Sequence, residues 1–339
     1  LDITWLLIGP RLITAAGPKV DKPAADVWDR DQHTAPNRAE DPMPEIPEVQ
    51  ALTEALAGRT LGYRILRVGL ADLSALKTVD PPLVGLRGAV VEDIARRGKF
   101  IVWSLISTDG ERIFLVIHLS RAGWIRWVAE PSATPPKPGK GPLALRLTFG
   151  GVQELAMGGI DITEAGTQKR LSIYVVRHLD DVPGIHRLGP DPLDAAFTHG
   201  ELALILDNAA GKQIKGVLRD QSVIAGIGNA YSDEILHAAK LSPYAAAGKL
   251  TEEQRDALFT AIQSTLFAAI ARAAGSAPET LKAEKKAAMA VHGRTGEACP
   301  VCGDTVREVS FASSSLQYCP TCQTGGKVLA DRRMSRLLK

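Results

Sequence analysis

The sequence predicts an α+β protein: an N-terminal β-sandwich with a helix at its start, followed by a helical domain ending in a four-cysteine β-hairpin. Three observations carry this. Alternating, β-branched runs recur between residues 64 and 149. From about Leu188 the pattern becomes helical. All four Cys of the 339-residue chain fall within residues 299–322. With 45% apolar and 23% charged residues, the composition is ordinary for a globular protein, and the length has room for two domains. The predicted segments are 1–43, 44–187, 188–292, 293–325 and a basic tail at 326–339.

Residues 1–43 carry five basic and seven acidic side chains, net −2, with scattered Pro and no sustained period. The remaining residues therefore carry net +4, against +2 for the whole chain. This first segment is expected to be a disordered or non-native extension. Its apolar run, Trp5-Leu6-Leu7-Ile8, is too short to span a bilayer and is broken by Pro10 and Arg11. No basic region precedes that run, so neither a membrane span nor a signal peptide is expected.

A chain start is legible in the interior, at Met43-Pro44-Glu45-Ile46-Pro47-Glu48-Val49. Residues 47–57 are expected to form a helix: Pro47 suits the first turn, Val49, Leu52 and Leu56 share a face, and Gly58 is a stop. Strands are expected at 64–70, 89–94, 100–106, 113–119, 123–129 and 143–149, with an exposed Pro-, Gly- and Lys-rich loop at 130–142. The helix would lie against one edge of the sandwich. In the second half, helices are expected at 202–208, 214–221 and 230–239. Thr251-Glu252-Glu253-Gln254 is a capping box opening a long helix to about Ala274.

Cys299-Pro-Val-Cys302 and Cys319-Pro-Thr-Cys322, sixteen residues apart, are two knuckles at the spacing that places four thiolates around one zinc. Four Cys leave no open coordination position, so the Zn2+ would be structural. Segments 306–310 and 316–318 can form the hairpin between the knuckles. The alternative is a pair of redox dithiols. With no Cys elsewhere for a disulfide framework and no export signal, a cytoplasmic location is expected. Residues 294–339 hold seven basic and four acidic side chains, net +3, with Arg332, Arg333, Arg336 and Lys339 at the end. A basic hairpin suits a phosphate backbone; a solubilising tail is the other reading.

Two further features carry chemistry. The turn Gly226-Ile227-Gly228-Asn229 leads into a helix whose free N–H groups can bind an anion, with Lys215 one helix earlier. A simple corner between helices is the alternative. If the chain begins at Pro44, that residue has a free secondary amine next to the Glu45 carboxyl, a nucleophile–acid pair able to open a sugar. If residues 1–43 remain attached, the same nitrogen is an amide and cannot attack.

In this order, these pieces resemble the formamidopyrimidine-DNA glycosylase and endonuclease VIII family of base-excision repair enzymes, over roughly residues 44–325. The segment Pro44–Val49 resembles the family's N-terminus. Residues 214–243, with Lys215, Gly226, Gly228, Asn229, Tyr231 and Glu234, resemble its helix–two-turn–helix. Residues 291–322 resemble its zinc finger. The resemblance implies a bifunctional glycosylase and abasic-site lyase: a damaged base is flipped from double-stranded DNA, Pro44 attacks the sugar, Glu45 protonates the ring oxygen, and elimination nicks the strand. It also implies that Lys99 binds phosphate near the lesion, that Arg170 reads the orphan base, and that Leu171 is an apolar wedge with Arg121 beside the gap. A nucleoid-associated monomer is expected.

The chain departs from the formamidopyrimidine branch in four places. Arg121 stands where that branch has a gap-filling Met. Lys169-Arg170-Leu171 replaces an Arg-Arg-Phe wedge, and Ser314 falls where the finger has a phosphate-gripping Arg. The segment 280–294 is also short for the loop that caps a flipped 8-oxopurine, which disfavours 8-oxoguanine as substrate. The alternative function is a non-catalytic damaged-DNA-binding protein whose amine is blocked by residues 1–43.

Overall fold

The computed structural model describes residues 43–330, apart from 140, 152, 154, 167, 312 and 313. The expected N-terminal extension before Met43, and the basic residues Arg332, Arg333, Arg336 and Lys339, lie outside the described residues.

Eight antiparallel strands build the first domain: β1 (Arg64–Leu70), β2 (Val90–Arg97), β3 (Phe100–Ile106), β4 (Arg112–His118), β5 (Gly123–Val128), β6 (Leu143–Gly150), β7 (Ala156–Glu164) and β8 (Ser172–Val176). Their order is β5-β7-β6-β1-β2-β3-β4-β8. β1 and β2 share one residue pair, Arg64↔Val90, whereas β1 pairs with β6 from Arg64↔Gly150 to Leu70↔Leu145. The sheet is thereby nearly cut into two four-stranded leaves. Register slips at Ile65/Arg67 and Val91/Asp93 flank the cut and bend the strands there. Ile65, Leu147 and Ile160 from one leaf share a core with Ile101, Trp103 and Leu115 from the other, making a β-sandwich.

The outer face of the second leaf is covered as well. Phe100, Val102 and Val116 pack with Val182 and Ile185 from the segment that includes α2 (Pro183–His186).

Helix α1 (Ile46–Thr60) joins the two domains. Val49, Leu52 and Leu56 enter the sandwich core, while Ile46 belongs to the core of the helical domain. That domain comprises α3 (His199–Asn208), α4 (Ile214–Arg219), α5 (Asn229–Ala238), α6 (Glu252–Ala273) and α7 (Leu281–Ala288). Helix α6 opens on the expected capping box: Gln254 N donates to Thr251 Oγ1 at 3.3 Å, and Thr251 N donates to Gln254 Oε1 at 3.0 Å. The chain ends in the hairpin β9 (Arg307–Ser310) and β10 (Ser315–Tyr318), followed by α8 (Pro320–Thr324). Among the described residues, no helix is long and apolar enough to cross a membrane.

Three elements depart from the sequence reading. β7 lacks a clean alternation because Gly158 and Gly159 interrupt it. At Gly158, where φ is +140°, an added Cβ would lie 2.2 Å from the Trp127 ring, so packing dictates the glycine. β8 has five residues, too few for a periodic signal. Within 280–294, the segment read as short for a capping loop, Leu281–Ala288 form α7.

Candidate active site

The glycine turn and the Pro44-Glu45 segment fit together as two halves of one site. A Cβ at Gly226 would lie 2.2 Å from Ile46 Cγ1, and one at Gly228 would lie 2.5 Å from Glu45 Cδ. Both glycines are therefore needed for α1 to begin against the N-terminus of α5. The Glu45 carboxylate accepts from Gly228 N, from Ala230 N at 2.9 Å and from Tyr231 N at 3.3 Å. These are the orphan donors of a helix start, and a side chain of the protein itself is the anion that fills them.

Around this carboxylate lies a buried charge cluster. Glu48, one turn along α1, accepts from Glu45 N at 2.9 Å, from Tyr231 Oη at 3.0 Å and from Lys285 Nζ at 2.7 Å. Lys285 Nζ is also 3.7 Å from Glu45 Oε1 and donates to the Met43 carbonyl at 3.4 Å. Its ammonium stands 4.9 Å from the centre of the Tyr231 ring. Lys99, at the head of β3, is 6% exposed and completes the set; Pro44 itself is buried.

Burial works on each of these groups, and neighbours decide the outcome. Burial alone would raise the Glu45 carboxyl. Lys285, Lys99 and the Ala230 N–H outweigh it and hold the group below the usual carboxylate range. Burial pulls Lys99 down to about 8, with Glu45 opposing and Lys285 assisting. Burial also works against the Lys285 charge, but Glu48 and Glu45 more than compensate, and its pKa is raised. His118, whose ring lies 4.7 Å from that of Phe100, is pushed down to about 4 by burial and by Lys99.

The remaining expected contacts divide into outward and inward residues. Arg170 is exposed and Arg121 half-buried, on neighbouring loops tied together by Ser120 Oγ donating to the Arg170 carbonyl at 2.7 Å. Glu164 steadies the second loop by accepting from Arg170 N at 2.7 Å and Leu171 N at 2.9 Å. Leu171 is 1% exposed and belongs to the sandwich core, so the surface needed for an apolar wedge is absent here. Lys215 is also turned inward. It is 5% exposed, ion-paired to Asp233 and bonded to Ser232 Oγ at 3.0 Å, and is not presented to an external phosphate. Asn229 Nδ2 donates to the Ser315 carbonyl at 2.9 Å and so anchors the hairpin.

Sequence reasoning missed Lys285, Asp233 and His292. Asp233 links Lys215 to His292 Nδ1, which lies 2.8 Å away. The signal for Lys285 was a lysine four residues after Leu281, on the apolar stripe of a short helix.

The four expected Cys converge. Their sulfurs all lie within 4.8 Å of one another, with Cys299–Cys322 at 3.9 Å and Cys302–Cys319 at 3.3 Å. A tetrahedron with Zn–S bonds of about 2.3 Å has sulfurs roughly 3.8 Å apart, whereas a disulfide needs about 2.05 Å. The donor set therefore fits a structural Zn2+. Gln323 Nε2 donates to the Leu241 carbonyl at 3.0 Å and docks this module on the helical domain.

Comparison with known proteins matches these parts one by one. Residues 43–160 match the formamidopyrimidine-DNA glycosylase N-terminal domain, 188–280 its H2TH domain, and 296–325 the zinc finger found in FPG and IleRS. An uncharacterized formamidopyrimidine-DNA glycosylase-like protein of Mycobacterium tuberculosis is 60% identical over 157 residues, covering 46% of this chain and 98% of the relative. The formamidopyrimidine-DNA glycosylase of Symbiobacterium thermophilum is 34% identical over 306 residues, covering 86% of this chain and 93% of the relative. Among solved structures, the Lactococcus lactis enzyme bound to DNA containing an abasic site superposes with a TM-score of 0.69 at 25% identity, covering 83% of this chain and 99% of that one. With its sandwich, helix–two-turn–helix and four-cysteine finger in the same order, this chain belongs to the formamidopyrimidine-DNA glycosylase family.

Proposed function

We propose that the chain is a bifunctional DNA glycosylase and abasic-site lyase that acts on oxidised or ring-opened bases in duplex DNA, with the Pro44 nitrogen as nucleophile. The observation that carries this reading is the seating of Pro44-Glu45 in a buried site between α1, α5 and Lys99, with Glu45 held by three backbone N–H groups. The scheme requires Pro44 to be the first residue, since an amide nitrogen has no lone pair to offer.

The chemistry balances with the groups present. The Pro44 lone pair forms a bond to the anomeric carbon, and the bond to the damaged base breaks, the base leaving with the electron pair and taking up a proton from water. The new ammonium passes its proton to Glu45, which is ionised at rest and so can accept it. Nitrogen then expels the ring oxygen, which collects that proton from Glu45, and an iminium remains. Water takes a proton from the adjacent sugar carbon, the C–H electrons form a double bond to the next carbon, and the 3′ phosphate leaves with the C–O electron pair, nicking the strand. Water finally releases the protein.

Lys99 supplies a cation for the phosphate beside the lesion, and Arg170 and Arg121 share one corner near the flipped nucleotide. With α7 in place of a long cap and its Lys285 engaged by Glu48, 8-oxoguanine is disfavoured. One copy carries every group in the scheme, so a monomer working at the nucleoid suffices.

The test is incubation of the zinc-loaded chain beginning at Pro44 with duplexes holding a ring-opened purine or an abasic site. Base release and elimination-type nicking are expected. The same chain with residues 1–43 attached should bind and do neither. Binding without either reaction by the Pro44 chain would favour the non-catalytic reading.

A further inference from the structure

Helix α7 carries a lysine where its packing calls for an apolar residue. Leu281 and Lys285 share one face, and both are buried. Lys285 Nζ donates to the Met43 carbonyl, whose carbon is bonded to Pro44 N, so the ammonium borders the end of a chain that begins at Pro44.

We propose that Lys285 is a positioning residue that keeps the Pro44 amine unprotonated near neutral pH by holding a fixed positive charge beside it. This rests on the Schiff-base reading above. A buried amine next to a second cation gives up its proton more readily than the same amine in water.

The surrounding groups make Lys285 the deciding one. Glu45, the cap of α1, adjoins Pro44 in the chain, and Glu48 of α1 accepts from Glu45 N at 2.9 Å; both carboxylates favour the protonated form of the amine. Lys99, at the head of β3, opposes them. From α4 come Arg219 and Lys215, the latter neutralised by Asp233 of α5. Tyr231 of α5 donates to Glu48, and His292, after α7, is engaged by Asp233. Lys99 titrates at about 8, within the working range, so its charge is not constant. Lys285 is clamped between two carboxylates and keeps its proton throughout. Removing it leaves two carboxylates against Lys99, and the amine gains basicity. A unit charge at roughly this range moves an amine by about one pH unit or more.

The test is the pH dependence of borohydride trapping on an abasic-site duplex, using the zinc-loaded chain that begins at Pro44. Lys285→Met is expected to move the trapping midpoint up by about one pH unit, cutting the rate near neutrality by about tenfold, and Lys285→Arg to restore it. An unchanged midpoint in Lys285→Met would overturn the proposal and leave the Schiff-base reading standing. No adduct from the wild-type chain would overturn both. Carbon-13 NMR titration of Pro44 in the wild-type chain gives a reading that needs no variant. A midpoint below the ordinary α-amino range of about 7.7–8.0 supports the proposal, and one at or above that range overturns it.

Discussion

The Glu45 carboxylate and the Ala230 backbone N–H meet at 2.9 Å across 185 residues of sequence. Through this contact the residue that caps α1 closes the anion site at the head of α5 from within. Glu45→Gln keeps the shape but removes the charge and faces backbone N–H groups with an amide. Base excision should fall by about 10²- to 10⁴-fold, the range for loss of a positioned proton-transfer group. Single-turnover kinetics with zinc content as the folding control would measure it.

Glu45 also sets an acid limit on stability. Its folded pKa lies below the reference value of 4.5, so the folded state releases the proton more readily than the unfolded chain. The stabilisation is fully present above the unfolded pKa and is lost as pH falls through the folded value. Thermal unfolding midpoints should drop on acidification below pH 4.5, and Glu45→Gln should flatten that dependence.

Lys99 sets the alkaline limit. Its folded pKa of about 8 is below the reference 10.5, so its contribution to folding improves as pH rises between those values, while its positive charge, which the proposed function places beside a phosphate, disappears. DNA affinity and turnover should therefore decline above about pH 8. Lys99→Arg, which stays charged, should keep affinity at the higher pH in a titration by fluorescence anisotropy.

Leu171 tests the inward placement of the expected wedge. As a core residue, its replacement by Ala should destabilise the fold by about 2–5 kcal/mol in a denaturant titration. Turnover per folded molecule should hardly change. A wedge in contact with the base stack would give the opposite pattern, normal stability and weakened nicking.

The sequence was most informative where the chemistry is local. The bounds of β1 and β3, the capping box at Thr251 and the four-Cys cluster follow from alternation, caps and spacing. It was silent where a residue's role depends on a distant partner. The spacing of Lys285 from Leu281 hints at an inward lysine, but its partner is not legible until folding brings it to Glu48, 237 residues away. Leu171 sits in a motif-like tripeptide, yet its placement in the core is set by the pairing of β8 with β4. The glycine turn looked like an open phosphate site. Only the approach of Glu45 shows that the protein fills it itself.

The finger docks on the helical domain through Asn229–Ser315, Asp233–Gln317, His237–Cys299 and Gln323–Leu241 contacts, and its own hairpin is the part that the four Cys would hold around zinc. Chelation, or Cys302→Ser, should unfold the hairpin and weaken DNA binding while leaving the sandwich intact. Circular dichroism, metal analysis and binding titration on the same samples would check it.

The most direct test of the central claim is to reduce the reaction with borohydride, digest the adduct and locate the DNA fragment by mass spectrometry. The account predicts a single attachment, on the peptide that begins at Pro44. Attachment at Lys99 or Lys285, or no adduct from a chain verified to begin at Pro44, would contradict it.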